Sequence, residues 1–118
     1  KYSLHPGAAS DLREAAEYYR QQAGPVLSQS LLAEFERVVQ LLMQRPLLGT
    51  PWIYEKRRLN MRHFPYAIVY MIATEEIRVL AVAHHSRCPG YWRKRKSQPT
   101  FEQVKFGHWT ISSLDTHD

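Results

Sequence analysis

The hydrophobic pattern of this chain changes its period once, near residue 50, and that change constrains the fold more than any other feature. Before it, apolar side chains recur every three or four positions, as on one face of an α-helix. After it, they alternate or run continuously, as in the strands of a sheet. Helices that precede the strands without alternating with them predict an α+β domain.

The first half of the chain predicts two consecutive helices. The first runs from about residue 8 to residue 23 and ends at the Gly-Pro pair 24–25. The second runs from about residue 26 to residue 45, just before Pro46. Because the turn between them is so short, the helices must pack as an antiparallel hairpin. The second helix has a wide apolar stripe for burial against a sheet, which includes Leu27, Leu31, Phe35, Val38 and Leu42.

Four segments are predicted as strands, namely residues 2–4, 57–64, 65–73 and 77–84. The last two are joined by the turn TEE, so they form an antiparallel hairpin. We therefore expect the order β-α-α-β-β-β, with the helical hairpin packed on one face of a small, mainly antiparallel sheet. This domain covers residues 1–96. Residues 97–118 are a C-terminal tail to which the spacing of apolar residues assigns no element.

Alternation along the strands predicts which side chains point away from the core. Leu59 and Met61 would face the core, while Arg58 and Arg62 would face the opposite side. On the last strand, simple alternation separates Val79, Ala81 and Ala83 from Arg78, Leu80, Val82 and His84. Arg62 and either His84 or His85 can then converge near the exposed side of the sheet.

Positive charge is concentrated in the second half of the chain. Residues 56–96 contain 10 Lys and Arg against 2 Asp and Glu, whereas residues 1–55 contain 5 against 6. Such clustering predicts a face for an anionic partner, either a nucleic acid or an acidic protein. The alternative is a basic surface that serves only solubility.

Other features narrow the class of protein. The single cysteine, Cys88, permits no internal disulfide, which fits a reducing compartment. No run approaches the roughly 20 apolar residues of a membrane helix, and the first residues are too charged for a secretory signal. We therefore expect a cytoplasmic protein without a membrane segment. No third ligand accompanies the histidines at a metal-site spacing, so we expect no metal and no cofactor.

One group of residues fits phosphate chemistry. Arginine grips phosphate oxygens and stabilises charge that develops in a transition state, and histidine can transfer a proton near neutral pH. An RNA 2′-hydroxyl needs no metal to attack its own phosphate. If the chain is a nuclease, the candidate catalytic residues are Arg62, His84, His85, Arg87 and Tyr91.

A second, overlapping group fits nucleic-acid or partner binding, because aromatic side chains among cations can stack on unpaired bases. Its members are Lys56, Arg57, Arg58, Arg62, Arg87, Trp92, Arg93 and Arg95. Each residue in both groups also has a structural interpretation, since single surface cations usually pair locally or remain solvated. The aromatic residues can equally serve packing.

An ordered series of residues resembles the RelE/ParE superfamily of toxins from bacterial type II toxin–antitoxin modules. The resemblance covers about residues 1–95 and includes the segments HPGAASDLREAAEYY, FPYAIVY and AVAHHSRCPGYWRKR. The matching positions are Pro6, Ala9, Leu12, Tyr19, Arg62, Phe64, Pro65, Tyr66, Tyr70, Val82, His85, Arg87, Pro89, Tyr91, Trp92 and Arg95.

The resemblance implies a toxin that arrests growth and is neutralised by a cognate acidic antitoxin. ParE-like members, including the plasmid-stabilisation branch, inhibit DNA gyrase. RelE-like members cleave messenger RNA on the ribosome without a metal. FPYAIVY and the closing PGYW favour the ParE-like branch, and the lysine-rich second strand of RelE enzymes is reduced to KRR at 56–58. The RelE-like endoribonuclease is the alternative, so whether the chain is an enzyme stays open. A non-toxic basic module that binds RNA or protein is a second alternative.

Overall fold

The computed structural model describes residues 1–86, which form a five-stranded mixed sheet with two helices on one face. In chain order the elements are β1 (Tyr2–Leu4), α1 (Pro6–Ala23), α2 (Pro25–Gln44), β2 (Thr50–Pro51), a short 3₁₀ turn (Ile53–Glu55), β3 (Arg57–Asn60), β4 (Tyr66–Ala73) and β5 (Glu76–His84). The α+β class and the predicted order are confirmed, with the two-residue strand β2 as an addition.

The first helix begins two residues earlier than its apolar pattern indicates, because His5 and Pro6 form its start. The His5 side chain caps the helix, with Nδ1 accepting a hydrogen bond from the Gly7 N–H at 2.9 Å. Pro6 occupies the first turn, where a missing N–H costs nothing. The helix ends at Gly24, whose φ of 89° is a conformation that glycine adopts without strain.

The two helices pack closely at the end where they are joined. Ser28 of α2 is buried, and its hydroxyl donates a 2.8 Å hydrogen bond to the carbonyl of Ala16 in α1. The antiparallel hairpin predicted from the short connection is therefore confirmed, and a buried polar contact helps to fix it.

The strands are arranged in the order β1-β5-β4-β3-β2 across the sheet. The β1 strand runs parallel to β5, and every other neighbouring pair is antiparallel. Directly after β1, one further hydrogen bond continues the pairing with β5: the His5 N–H donates to the Val79 carbonyl at 2.9 Å. The N-terminal strand is thus fixed to the edge of the hairpin that forms the centre of the sheet.

A β-bulge in β5 overturns the simple alternation expected for that strand. Val69 lies opposite Ala81, but the next residue, Tyr70, lies opposite Val79, so Leu80 is the additional residue of the bulge. Val79 and Val82 consequently both join the core beneath the helices, whereas Ala81 packs with Val69 on the other face. The predicted grouping of Val79 with Ala81 is wrong for this reason.

The predicted strand 57–64 is also shorter than expected. β3 ends at Asn60, and the Met61 N–H already closes the following loop by donating to the Tyr66 carbonyl at 2.8 Å. Leu59 and Met61 do pack in or against the helix-side core, as predicted. Arg62, however, belongs to the loop and does not continue the face of β3 that carries Arg58.

The fully buried Tyr70 ties the loop after α2 to the centre of the sheet. Its hydroxyl donates to the Pro46 carbonyl at 2.7 Å and accepts from the Gly49 N–H at 2.9 Å. Gly49 leaves just enough space, since a Cβ there would lie 2.5 Å from Tyr70 Oη. This contact positions β2 beside β3 on the outer part of the sheet.

Replacing Tyr70 by phenylalanine should lower the free energy of unfolding by about 2 kcal/mol, because buried polar groups of the loop lose their partner. Denaturant unfolding of both proteins measures the effect. Tyr54→Phe is the matched control, since Tyr54 is 58% exposed and its change should stay within about 0.5 kcal/mol. A Tyr70→Phe protein as stable as the parent would contradict the proposed role of this hydroxyl.

Candidate functional site

The three cations of KRR at 56–58 have three different environments. Lys56 is only 2% exposed, and its ammonium donates to the Tyr54 carbonyl at 3.1 Å. Arg57 donates to the carbonyls of Leu47 at 3.3 Å and Gly49 at 2.8 Å, so it supports the loop after α2. Both side chains therefore donate to carbonyls of the chain itself, and their assignment to a binding surface stays a prediction.

Arg58 is the member of this trio that borders an open surface. It lies opposite Val69 on the face of the sheet away from the helices, with its guanidinium 5.0 Å from the centre of the Trp52 ring. A stacked guanidinium of this kind keeps its N–H edges available for an anionic group. The pair borders a cleft of about 470 Å³, the outer-face cleft, lined by Thr50, Pro51, Trp52, Arg58, Leu59 and Asn60.

A strained turn brings Trp52 over this face. Tyr54 (φ 55°, ψ 42°) and Glu55 (φ 61°) are consecutive non-glycine residues in the left-handed region, which costs roughly 1–2 kcal/mol per residue. The turn is closed by hydrogen bonds from the Trp52 N–H to the Lys56 carbonyl and from the Lys56 N–H to the Ile53 carbonyl. Strain of this kind is concentrated at functional sites, so it adds to the case for the outer-face cleft.

Arg62 is anchored through its backbone, while its side chain is exposed. Its N–H donates to Glu34 Oε2 at 2.8 Å, which attaches the loop after β3 to α2. Hydrogen bonds from the Arg37 side chain and then from the Arg62 backbone hold the pKa of Glu34 below its usual range. No hydrogen bond within residues 1–86 engages the Arg62 guanidinium, which leaves this charge accessible to a partner.

The two histidines at the end of β5 differ in environment. His84 lies opposite Tyr66 and packs edge-on against its ring, with centroids 5.0 Å apart. The His84 Nδ1 accepts a hydrogen bond from the Ser86 N–H at 3.0 Å. His85 is exposed, and its backbone N–H donates to the Pro65 carbonyl at 2.9 Å. Within residues 1–86, no hydrogen bond or ion pair joins Arg62 to either histidine.

Tyr66 is a residue that the sequence interpretation did not assign to the site. Burial, followed by the electrostatic effects of Tyr19, Tyr18 and Glu14, raises the pKa of Tyr66 to about 12. The side chain therefore remains a neutral phenol at neutral pH and does not act there as a general base.

Five of the candidate residues, Arg87, Tyr91, Trp92, Arg93 and Arg95, lie outside the described residues. Across residues 1–86 there is no group of three histidine, cysteine, aspartate or glutamate side chains placed to hold a metal ion. The helices in that part of the chain are also too short or too polar to span a membrane.

Two comparisons with known proteins agree with this fold. A family model described as the ParE toxin of the type II toxin–antitoxin system parDE matches residues 2–89. A solved structure described as the chromosomal ParDE TA system from P. aeruginosa is similar in fold, with a TM-score of 0.65 and 21% sequence identity. That similarity covers 71% of this chain and 94% of the other. No curated protein matches the sequence.

The raised pKa of Tyr66 predicts an alkaline loss of stability. The folded chain retains this proton between the ordinary tyrosine value of 10.0 and about 12, where the unfolded chain releases it. The contribution of this group to the free energy of unfolding is therefore complete below about pH 10 and is lost as the pH rises towards 12. In Tyr66→Phe, the decrease in unfolding free energy from pH 8 to pH 11.5 should be smaller by on the order of 2 kcal/mol. Urea unfolding across this range tests the effect, and identical decreases in both proteins would refute it.

Proposed function

The chain belongs to the ParE toxin family of type II toxin–antitoxin systems, and from that membership we propose that it arrests growth by inhibiting DNA gyrase. The observation that carries the proposal is the match of the family model to residues 2–89, which includes all of the described helices and strands. The toxin role follows from the family, and the choice of gyrase as the target is our proposal.

The contacts of the described candidate residues support a binding function. An RNA-cleaving site needs phosphate-binding and proton-transferring groups within reach of the same phosphate. Within residues 1–86, no hydrogen bond or ion pair joins Arg62 to His84 or His85, and the candidates Arg87 and Tyr91 lie outside the described residues. A binding function, by contrast, requires only an exposed surface such as the outer-face cleft.

We further propose that a cognate acidic antitoxin neutralises the toxin. Arg58 lines an open cleft and Arg62 is exposed, so carboxylates of a partner can reach both guanidinium groups. Apolar side chains that are at least one-third exposed provide further contact area, and they include Val26, Leu27, Leu47, Leu48 and Ile72. An amphipathic acidic segment would combine both kinds of contact.

Induced expression of this chain alone should arrest bacterial growth, and the purified protein should inhibit DNA supercoiling by gyrase. Co-expression with a short acidic protein encoded in the neighbouring reading frame should restore growth. The mode of arrest tests the target, because gyrase inhibition produces a DNA-damage response and filamentous cells.

Rapid loss of translation with cleaved messages would instead establish the RelE-like endoribonuclease. Normal growth despite verified soluble expression would refute the gyrase proposal and favour the non-toxic basic binding module.

Arg58→Ala should weaken binding of the antitoxin about 10-fold, because an interfacial charge pair and its stacked guanidinium are lost. Arg45→Ala is the matched control, since it removes the same charge from an exposed position after α2. Titration calorimetry with the neighbour-encoded protein measures both affinities. Equal affinities of the two variants would exclude the outer-face cleft from the antitoxin interface.

The same titration at low and high salt separates apolar from electrostatic contacts. We expect sub-micromolar affinity that weakens only modestly with salt, because buried apolar contacts are not screened. A steep salt dependence like that of a phosphate binder would contradict an amphipathic partner.

A further inference from the structure

A second cleft lies on the opposite side of the sheet from Arg58, between α1 and the adjoining ends of β4 and β5. Its volume is about 550 Å³. We call it the tyrosine cleft, and its polar and aromatic walls are formed by Asp11, Glu14, Tyr18, Tyr19, Tyr66 and His84. Neither the family description nor the proposed gyrase inhibition assigns a role to this cleft.

One face of α1 supplies a wall of the cleft. Asp11, Glu14 and Tyr18 follow one another at intervals of three and four residues, so they lie along the same side of the helix. Tyr18 is 55% exposed, so its ring is accessible to a partner. The helix thus presents two carboxylates and an aromatic ring to the same space.

The tyrosine rings that line the cleft are strongly inclined to one another and are not stacked in parallel. Tyr18 and Tyr19 are 5.2 Å apart with an interplanar angle of 83°, and Tyr19 and Tyr66 are 6.4 Å apart at 65°. Ring faces carry negative charge density, and a cation within about 6 Å of such a face is attracted to it. Rings that meet at these angles can surround a cationic group on more than one side.

The described walls of the cleft differ in charge from the chain as a whole. The protein has a formal net charge of +5, whereas the described residues that line the cleft include two carboxylates and neither lysine nor arginine. Asp11 already accepts a 3.1 Å hydrogen bond from the Val82 N–H. Glu14 is exposed and makes no hydrogen bond or ion pair within residues 1–86.

We propose that the tyrosine cleft binds an arginine side chain of a protein partner. A guanidinium is planar, stacks on aromatic faces and forms paired hydrogen bonds with a carboxylate, so it can use Tyr18, Tyr66 and Glu14 together. A lysine ammonium lacks the planar stacking surface. The proposal is independent of the target of the toxin, and it places a partner's cation on the face opposite the outer-face cleft.

The direct test uses acetyl-arginine amide as the probe and the full 118-residue chain, at about pH 7.5. The Val82 amide reports on the site, because its N–H is bonded to Asp11 Oδ2. In ¹H–¹⁵N spectra we expect saturable shifts of the Val82 resonance with a millimolar dissociation constant. Acetyl-citrulline amide has nearly the same shape without the charge and should bind at least 5-fold more weakly.

Two variants connect the binding to the proposed walls. Glu14→Gln removes the charge, and Tyr18→Leu removes an exposed ring; each should weaken the probe about 3- to 10-fold. The matched controls are Glu55→Gln and Tyr54→Leu, which make the same changes at exposed positions of the 3₁₀ turn and should bind like the parent. Unchanged spectra away from the cleft verify that each variant is folded.

Three results would overturn the proposal. The first is equal binding of the arginine and citrulline probes, which would show that charge is not recognised. The second is free guanidinium ion that binds as tightly as acetyl-arginine amide, which would assign the cleft to a small cation. The third is parent-like binding by Glu14→Gln and Tyr18→Leu. Growth arrest and supercoiling assays are not involved, so failure here leaves the gyrase proposal intact.

Discussion

The bulge at Leu80 is the constraint on which the arrangement of both faces of the sheet depends. It advances the alternation of β5 by one residue, so that Val82 and His84 lie on the helix side. Without the bulge, Val82 would share a face with Arg78. The Val82 N–H, which donates to Asp11, would then point in a different direction. The bulge therefore helps both to complete the core and to form the tyrosine cleft, while Ala81 remains with Val69 beneath the outer-face cleft.

In this protein, the number of cationic residues in a segment does not indicate how many of their charges are accessible on the surface. Lys56 and Arg57 contribute to the basic composition, but their donors bind carbonyls of the chain itself. Arg58 stacks on Trp52 beside an open cleft, and Arg62 extends from a loop. The family membership and these two accessible cations, rather than the total of +5, support the proposed acidic partner. The described residues of the tyrosine cleft illustrate the same separation in reverse, since they include two carboxylates and neither lysine nor arginine.

The sequence predicted those features that depend on local periodicity. The helices, the β4–β5 hairpin and the helix-side position of Leu59 follow from spacing alone, and the structure confirms them. Leu27 fits the apolar stripe of α2 but is 36% exposed. Spacing cannot reveal where a helix extends past the core that covers it.

The features that were missed depend on contacts between distant residues. No local signal marks Leu80 as the additional residue of a bulge, and the burial of Lys56 requires the strained turn before it. The Asp11, Glu14 and Tyr18 spacing was visible as one helical face, but only the packing of α1 beside Tyr66 makes it part of a cleft. The candidates beyond residue 86 remain sequence predictions.

The pairing of β1 with β5 has a consequence for synthesis. Asp11 and Val82 are 71 positions apart, and Ser3 donates a hydrogen bond to Glu76 across 73 positions. On the ribosome, the helices and β4 emerge before the strand that β1 must join, and closing such a long loop is an entropically late step. In a growing chain, β1 therefore cannot pair until β5 has been synthesised. A chain whose synthesis stops before β5 cannot complete its sheet. For a member of a toxin family, this order means that the sheet is completed only when nearly the whole domain has been synthesised.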